Sequence, residues 1–136
     1  MKRALSVSNV IDAKFKTLDF SGEWLRAVGR PELSGTWFIY GAPKNGKTSF
    51  AMMLVKYLTT FGRGAYDSIE EGLSLSIQMA MDRADMETVS RRMVLLDKMS
   101  IADLRQWLRK RNAAEYIVID SVQFADMRFS EYKSLK

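Results

Sequence analysis

Thr36-Trp37-Phe38-Ile39-Tyr40-Gly41-Ala42-Pro43-Lys44-Asn45-Gly46-Lys47-Thr48 fits G-x-x-x-x-G-K-[ST] at every fixed position. The spacing has a chemical reason. Gly41 and Gly46 bracket a tight loop whose successive main-chain N–H groups can turn inward around an anion. Gly41, Ala42, Pro43, Lys44, Asn45, Gly46, Lys47, Thr48 and Ser49 together form the expected phosphate cradle. Lys47 supplies a mobile positive charge for the outer phosphates, and the Thr48 hydroxyl is placed to ligate Mg²⁺. A helix starting here adds unpaired N–H groups and the positive end of its dipole. A chance match in a chain of this size is a roughly 1% event.

The flanks agree with that reading. Upstream, Trp37 to Tyr40 are apolar and aromatic, as a strand would be. Downstream, Phe50, Ala51, Met52, Met53, Leu54, Val55, Tyr57 and Leu58 predict a helix apolar on most faces, suited to burial against a sheet.

The chain has 136 residues, enough for one domain with a real core, and 47% of them are hydrophobic. With no cysteine there is neither a disulfide nor a thiolate metal site. With no histidine, any catalytic base is a carboxylate, a lysine or a tyrosine. No apolar run reaches signal-peptide or membrane-spanning length, so the expected setting is cytoplasmic, with no membrane partner. Net charge +5 leans towards phosphate-bearing partners, although ordinary soluble proteins share such a balance.

Residues 1–35 read as an N-terminal cap segment. Val7 to Phe20 suit a strand or short helix, and Ser21-Gly22-Glu23-Trp24-Leu25 opens a brief helix that Gly29, Pro31 and Gly35 end. Trp24 and Trp37 are packing residues or, alternatively, stacking partners for a base. After the phosphate loop and its helix, Phe61-Gly62-Arg63-Gly64 is a stop signal. Ala65 to Ile69 then predict a second strand closing at Glu70-Glu71-Gly72. Leu73, Ile77, Ala80, Met81 and Ala84 fall at helical spacing. Arg92 to Leu96 predict a third strand. Ser100-Ile101-Ala102-Asp103 opens a helix with Ile101, Leu104 and Leu108 inward, and with Arg105, Arg109, Lys110 and Arg111 on a solvated or nucleic-acid-facing side.

Tyr116-Ile117-Val118-Ile119-Asp120 reads as a fully buried parallel strand with an acid at its C-terminal end, where α/β sheets bind ligands. Asp120 is expected to hold the Mg²⁺ shell opposite Thr48. Glu70 and Glu71 lie at the end of the second strand, on the same expected sheet edge. One of them would hold the attacking water while Lys47 and Mg²⁺ offset the charge developing on a transferred phosphoryl group. The alternative is an ordinary acidic helix start. Alternating strands and helices predict an α/β fold with a parallel sheet.

These motifs together resemble the RecA-like ATPases, the superfamily of bacterial recombinases, RadA-like repair proteins, KaiC-like clock ATPases and hexameric replicative helicases. Ser68-Ile69-Glu70-Glu71 is similar to the segment carrying their catalytic glutamate, which gives that role to Glu70, and Ile119-Asp120-Ser121-Val122-Gln123 is similar to their Walker B strand. The resemblance covers about residues 17–136. It implies a three-layer α/β sandwich of the P-loop NTPase type, an ATP and Mg²⁺ site, ATP hydrolysis, and work on single-stranded DNA in recombination, repair or unwinding. It also implies a homo-oligomer or a completing partner chain.

Lys44 stands where many relatives carry a glycine. The chain also ends before the family's next strand, so the expected 36–136 core lacks its last strands and leaves a gap between the Walker A and Walker B strands. Arg128, Phe129, Tyr132 and Lys133 suit either single-stranded DNA or helix packing. Two other functions fit the same motifs: a nucleotide or small-metabolite kinase, and a non-catalytic ATP-binding assembly module.

Overall fold

The computed structural model of the chain describes residues 2–39 and 46–120. It divides into two compact units, Met1–Phe38 and Ile39–Lys136. No helix among the described residues is long and apolar enough to cross a membrane.

In the first unit, α1 (Val7–Asp12) is capped reciprocally. The Asn9 N–H donates to the Ser6 hydroxyl at 3.0 Å, and the Ser6 N–H donates to the Asn9 side chain at 3.4 Å. α2 (Gly22–Val28) ends at Gly29, whose φ of 72° continues no helix. A Thr17–Glu32 bridge and a Leu18 N–H to Pro31 carbonyl bond of 2.8 Å close the chain around α2. Leu18 and Phe20 are buried, and Phe20 meets both Trp24 and Trp37 edge-on. Those contacts set both indole rings against Phe20, with Trp37 still partly exposed.

The strand expected from Thr36 to Tyr40 does not form over its described part. Thr36 to Ile39 carry no ladder, and Trp37, Phe38 and Ile39 are 43%, 71% and 39% exposed. Aromatic and branched residues favour a strand only when a neighbouring strand takes up their N–H and C=O groups, and none of the described strands does so.

The second unit is α/β. α3 (Lys47–Leu58) follows Gly46, which sits in the left-handed region at φ 76°. β1 (Gly64–Ser68), α4 (Leu75–Arg83), a 3₁₀ turn (Met86–Val89), β2 (Met93–Asp97), α5 (Ile101–Leu108) and β3 (Tyr116–Asp120) follow in order. The three strands form one parallel sheet in the order β2-β1-β3. Gly64 lies opposite Met93 and Tyr116, and Ser68 lies opposite Asp97 and Asp120. A small parallel sheet of this kind is compatible with a Rossmann-like layer.

Strand alternation distributes the core over both faces. Tyr66 and Met93 pack with Ala51, Met52 and Val55 of α3 and Ile77 of α4, with Val118 against them. On the opposite face Ala65 and Leu96 pack with Ile101 and Leu104 of α5, flanked by Ile117 and Ile119. Helices therefore cover the sheet on two sides. Complete burial of Met52, Val55, Tyr66 and Ile77 contributes about 1.5–3 kcal/mol for each side chain, far more than the propensity of a helix as short as α3. That burial holds the start of α3 against the ends of the strands.

Two expectations need correction. β3 is half-buried at all five positions instead of fully buried, and among the described residues it pairs only with β1. α5 ends at Leu108, so Arg109 is its C-cap, and Lys110 and Arg111 lie in the turn beyond it, all three exposed.

Candidate functional site

Parallel pairing brings the C-terminal ends of all three strands to one edge of the sheet, and α3 begins at that edge. Thr48 in its first turn donates its hydroxyl to Oδ2 of Asp120 at 3.3 Å, joining residues 72 positions apart. Lys47, Thr48 and Ser49 are half-buried there. Gly41 to Asn45 lie outside the described residues, as do Arg128, Phe129, Tyr132 and Lys133.

Asp120 also anchors the acidic turn. Its carbonyl accepts the N–H groups of Ile69 at 3.0 Å and Glu70 at 3.2 Å. The turn is then closed by Gly72, whose N–H donates to the Ser68 carbonyl at 2.9 Å with φ at 64°. A Cβ on Gly72 would run into the Asp97 carboxylate and the Lys98 side chain, so glycine is required on two counts. Oδ1 of Asp97 is already occupied, accepting the Leu73 N–H at 2.9 Å. Glu70 and Glu71 are exposed. Glu71 accepts a long bond of 3.4 Å from the Ser74 hydroxyl, and Ser74 also caps α4 by accepting the Ile77 N–H at 3.2 Å. The structure thus gathers Thr48, Asp120 and the Glu70 main chain, with Lys47 and Ser49 in the same helical turn as Thr48.

A residue outside the expected set joins them. Tyr66 is completely buried, and its hydroxyl donates to Oδ2 of Asp120, the oxygen that Thr48 also uses. Burial, followed by that bond to the carboxylate, pushes the phenol well above its ordinary pKa, so it remains protonated. The sequence held a signal for Tyr66. In a strand it must share a face with Ser68, two positions nearer the C-terminal edge of the sheet.

Asp67 points the other way. Its Oδ1 accepts the Met99 N–H at 3.0 Å, while Oδ2 has no hydrogen-bond partner among the described residues. Burial pushes its carboxyl up to about 6, and the Met99 N–H offsets part of that rise. It takes no part in the Thr48–Asp120 arrangement.

A hydroxyl and a carboxylate are hard oxygen donors, as Mg²⁺ prefers. Two ligands at right angles around Mg²⁺, each about 2.0–2.1 Å away, lie roughly 2.9 Å apart. The 3.3 Å between Thr48 Oγ1 and Asp120 Oδ2 is close to that separation. No group of three or more acidic ligands occurs among the described residues, so such an ion would complete its shell with water and substrate phosphate.

No protein-family model, curated protein or solved structure matches this chain. The geometry of the site and the motif that leads into it therefore carry the functional reading.

Proposed function

We propose that this chain binds ATP with Mg²⁺ and hydrolyses it, as a RecA-like ATPase of DNA recombination, repair or unwinding. One observation carries the proposal: the threonine that ends a G-x-x-x-x-G-K-T sequence lies 3.3 Å from the acid that ends a parallel strand, at the C-terminal edge of the strands, where α/β sheets commonly bind ligands. In this reading the amides from Gly41 to Thr48 and the Lys47 ammonium bind the phosphates. Thr48 and Asp120 hold the metal, whose chemistry when bound is to neutralise charge on the terminal phosphate oxygens.

Glu70 orients the attacking water, with Glu71 beside it. Exposure leaves the Glu70 carboxylate reachable by water, while the Asp120 carbonyl fixes its backbone. A solvent-exposed carboxylate at that position suits activation of water, and the sequence offers no arginine-rich lid segment of the kind a kinase would use, so hydrolysis is set ahead of a kinase reaction.

The test is paired. Fluorescent-nucleotide titration of Lys47→Ala should show affinity lowered about 10–100-fold, the effect of removing a charge-assisted bond to phosphate. Glu70→Gln should keep nucleotide binding and lose phosphate release. Unchanged binding in Lys47→Ala refutes the phosphate site. Full turnover in Glu70→Gln with an inactive Glu71→Gln moves the role to Glu71.

A further inference from the structure

We propose that Tyr66 is a positioning residue for the metal, acting through Asp120; the inference rests on the nucleotide–Mg²⁺ reading above. The observation behind it is a shared oxygen. Asp120 Oδ2 receives the Thr48 hydroxyl from α3 and the Tyr66 hydroxyl from β1, the strand beside its own.

A carboxylate at the end of β3, half-buried and on a short side chain, can rotate between several orientations. Tyr66 removes that freedom. Its ring is fixed within the cluster formed by Met52, Val55 and Ile77, so its hydroxyl is presented from a rigid support. A neutral phenol donates one hydrogen bond and so restrains the carboxylate without cancelling its charge, which remains available to a cation. Asp120 is braced at its other end too, because its carbonyl accepts the Ile69 and Glu70 N–H groups. The carboxylate is thereby held facing Thr48 before any ion arrives.

Packing alone does not explain a tyrosine here. Phenylalanine would fill the same volume between α3 and the sheet, and the hydroxyl would be a liability in that core without an acceptor. Its acceptor is the acid proposed to face the metal. Residues that orient metal ligands in this way typically change metal affinity 10–100-fold when removed.

The experiment uses the full chain and Mn²⁺ as a paramagnetic stand-in for Mg²⁺, with ADP present, reading free Mn²⁺ by electron paramagnetic resonance. Tyr66→Phe is expected to weaken Mn²⁺ binding 10–100-fold, at least tenfold more than any loss of metal-free ADP affinity. In an Asp120→Ala background, Tyr66→Phe should add less than twofold, because the route through Asp120 is gone.

A folded Tyr66→Phe whose Mn²⁺ affinity stays within twofold of the parent overturns the positioning role and leaves the nucleotide reading intact. Additive effects in the double variant overturn the route through Asp120. A parent chain that binds ADP but no Mn²⁺ overturns both. Should Tyr66→Phe not fold, 3-fluorotyrosine is incorporated into the parent chain. The ¹⁹F resonance of Tyr66, assigned by replacing the other four tyrosines, must then shift on adding Mg²⁺ to the ADP complex. An unmoved resonance refutes the proposal.

Discussion

Asp67→Asn gives a direct reading of the cost of a buried charge. The carboxyl of Asp67 is raised from 3.8 to about 6 because the folded chain buries it, with one oxygen bonded to the Met99 N–H and the other without a partner among the described residues. The folded state therefore holds this proton more tightly than the unfolded state does. Stability contributed through Asp67 is greatest below the unfolded value and declines as pH rises from about 4 to about 6, then stays level.

At 1.36 kcal/mol for each pH unit, the full shift corresponds to about 3 kcal/mol. Solvent relaxation around the carboxylate reduces this to roughly 1.5 kcal/mol at neutral pH. The asparagine side chain would keep the acceptor for Met99 and carry no charge. Its new amide group would still lack a partner, and that penalty is the same at every pH. The shape of the pH dependence is the signal, more than its offset. Thermal and urea melts of parent and variant from pH 4 to pH 8, followed by circular dichroism, should show the variant gaining on the parent through the window and level above it. The gain should reach about 5 °C in Tm for a domain of this size. A difference between the two that is flat with pH would mean that Asp67 is solvated and that burial does not raise its pKa.

Gly72→Ala forces an alanine to φ 64° and pushes its Cβ into Asp97 and Lys98. The expected cost is at least ~1 kcal/mol in urea melts, with a fall in ATP turnover as the Glu70 turn shifts. Ser100→Ala removes the hydroxyl that accepts the Asp103 N–H at 3.1 Å at the start of α5, and should cost about 1 kcal/mol in the same melts with nucleotide affinity retained. Replacing exposed Arg109, Lys110 and Arg111 with Glu should weaken binding to single-stranded DNA and flatten its salt dependence, by a slope of about 0.7 for each phosphate no longer neutralised. Equal affinity and slope in the variant would make that turn a plain solvated surface.

Elements whose pattern could be satisfied nearby were legible in the sequence. Ala65 to Ser68, Met93 to Leu96 and Tyr116 to Asp120 are strands, and Ile101 and Leu104 are buried at the spacing that predicted them. The meeting of Thr48 with Asp120 was legible as well, because a lysine–threonine pair opening a helix and an acid ending an apolar strand belong to one sheet edge in a parallel arrangement.

Features that depend on distant neighbours were not legible. Trp37 to Ile39 carry strand-forming side chains, yet strand formation requires a ladder partner that local composition cannot supply. The partial exposure of β3 goes with its pairing to β1 alone among the described residues, which no property of Tyr116 to Asp120 encodes. In the sequence Tyr66 reads as an ordinary core residue, because a tyrosine in a short strand fits a core position well. Only the register between β1 and β3 reveals that its hydroxyl reaches an acid 54 residues away.

The carbonyl of Asp120 that receives both the Ile69 and Glu70 N–H groups joins the end of β3 to the acidic turn through main chain alone. Side-chain identity at positions 69 and 70 plays no part in those two bonds, so a substitution at Glu70 leaves both backbone donors in place. Those two bonds tie the tip of β3 directly to the first residues of the acidic turn.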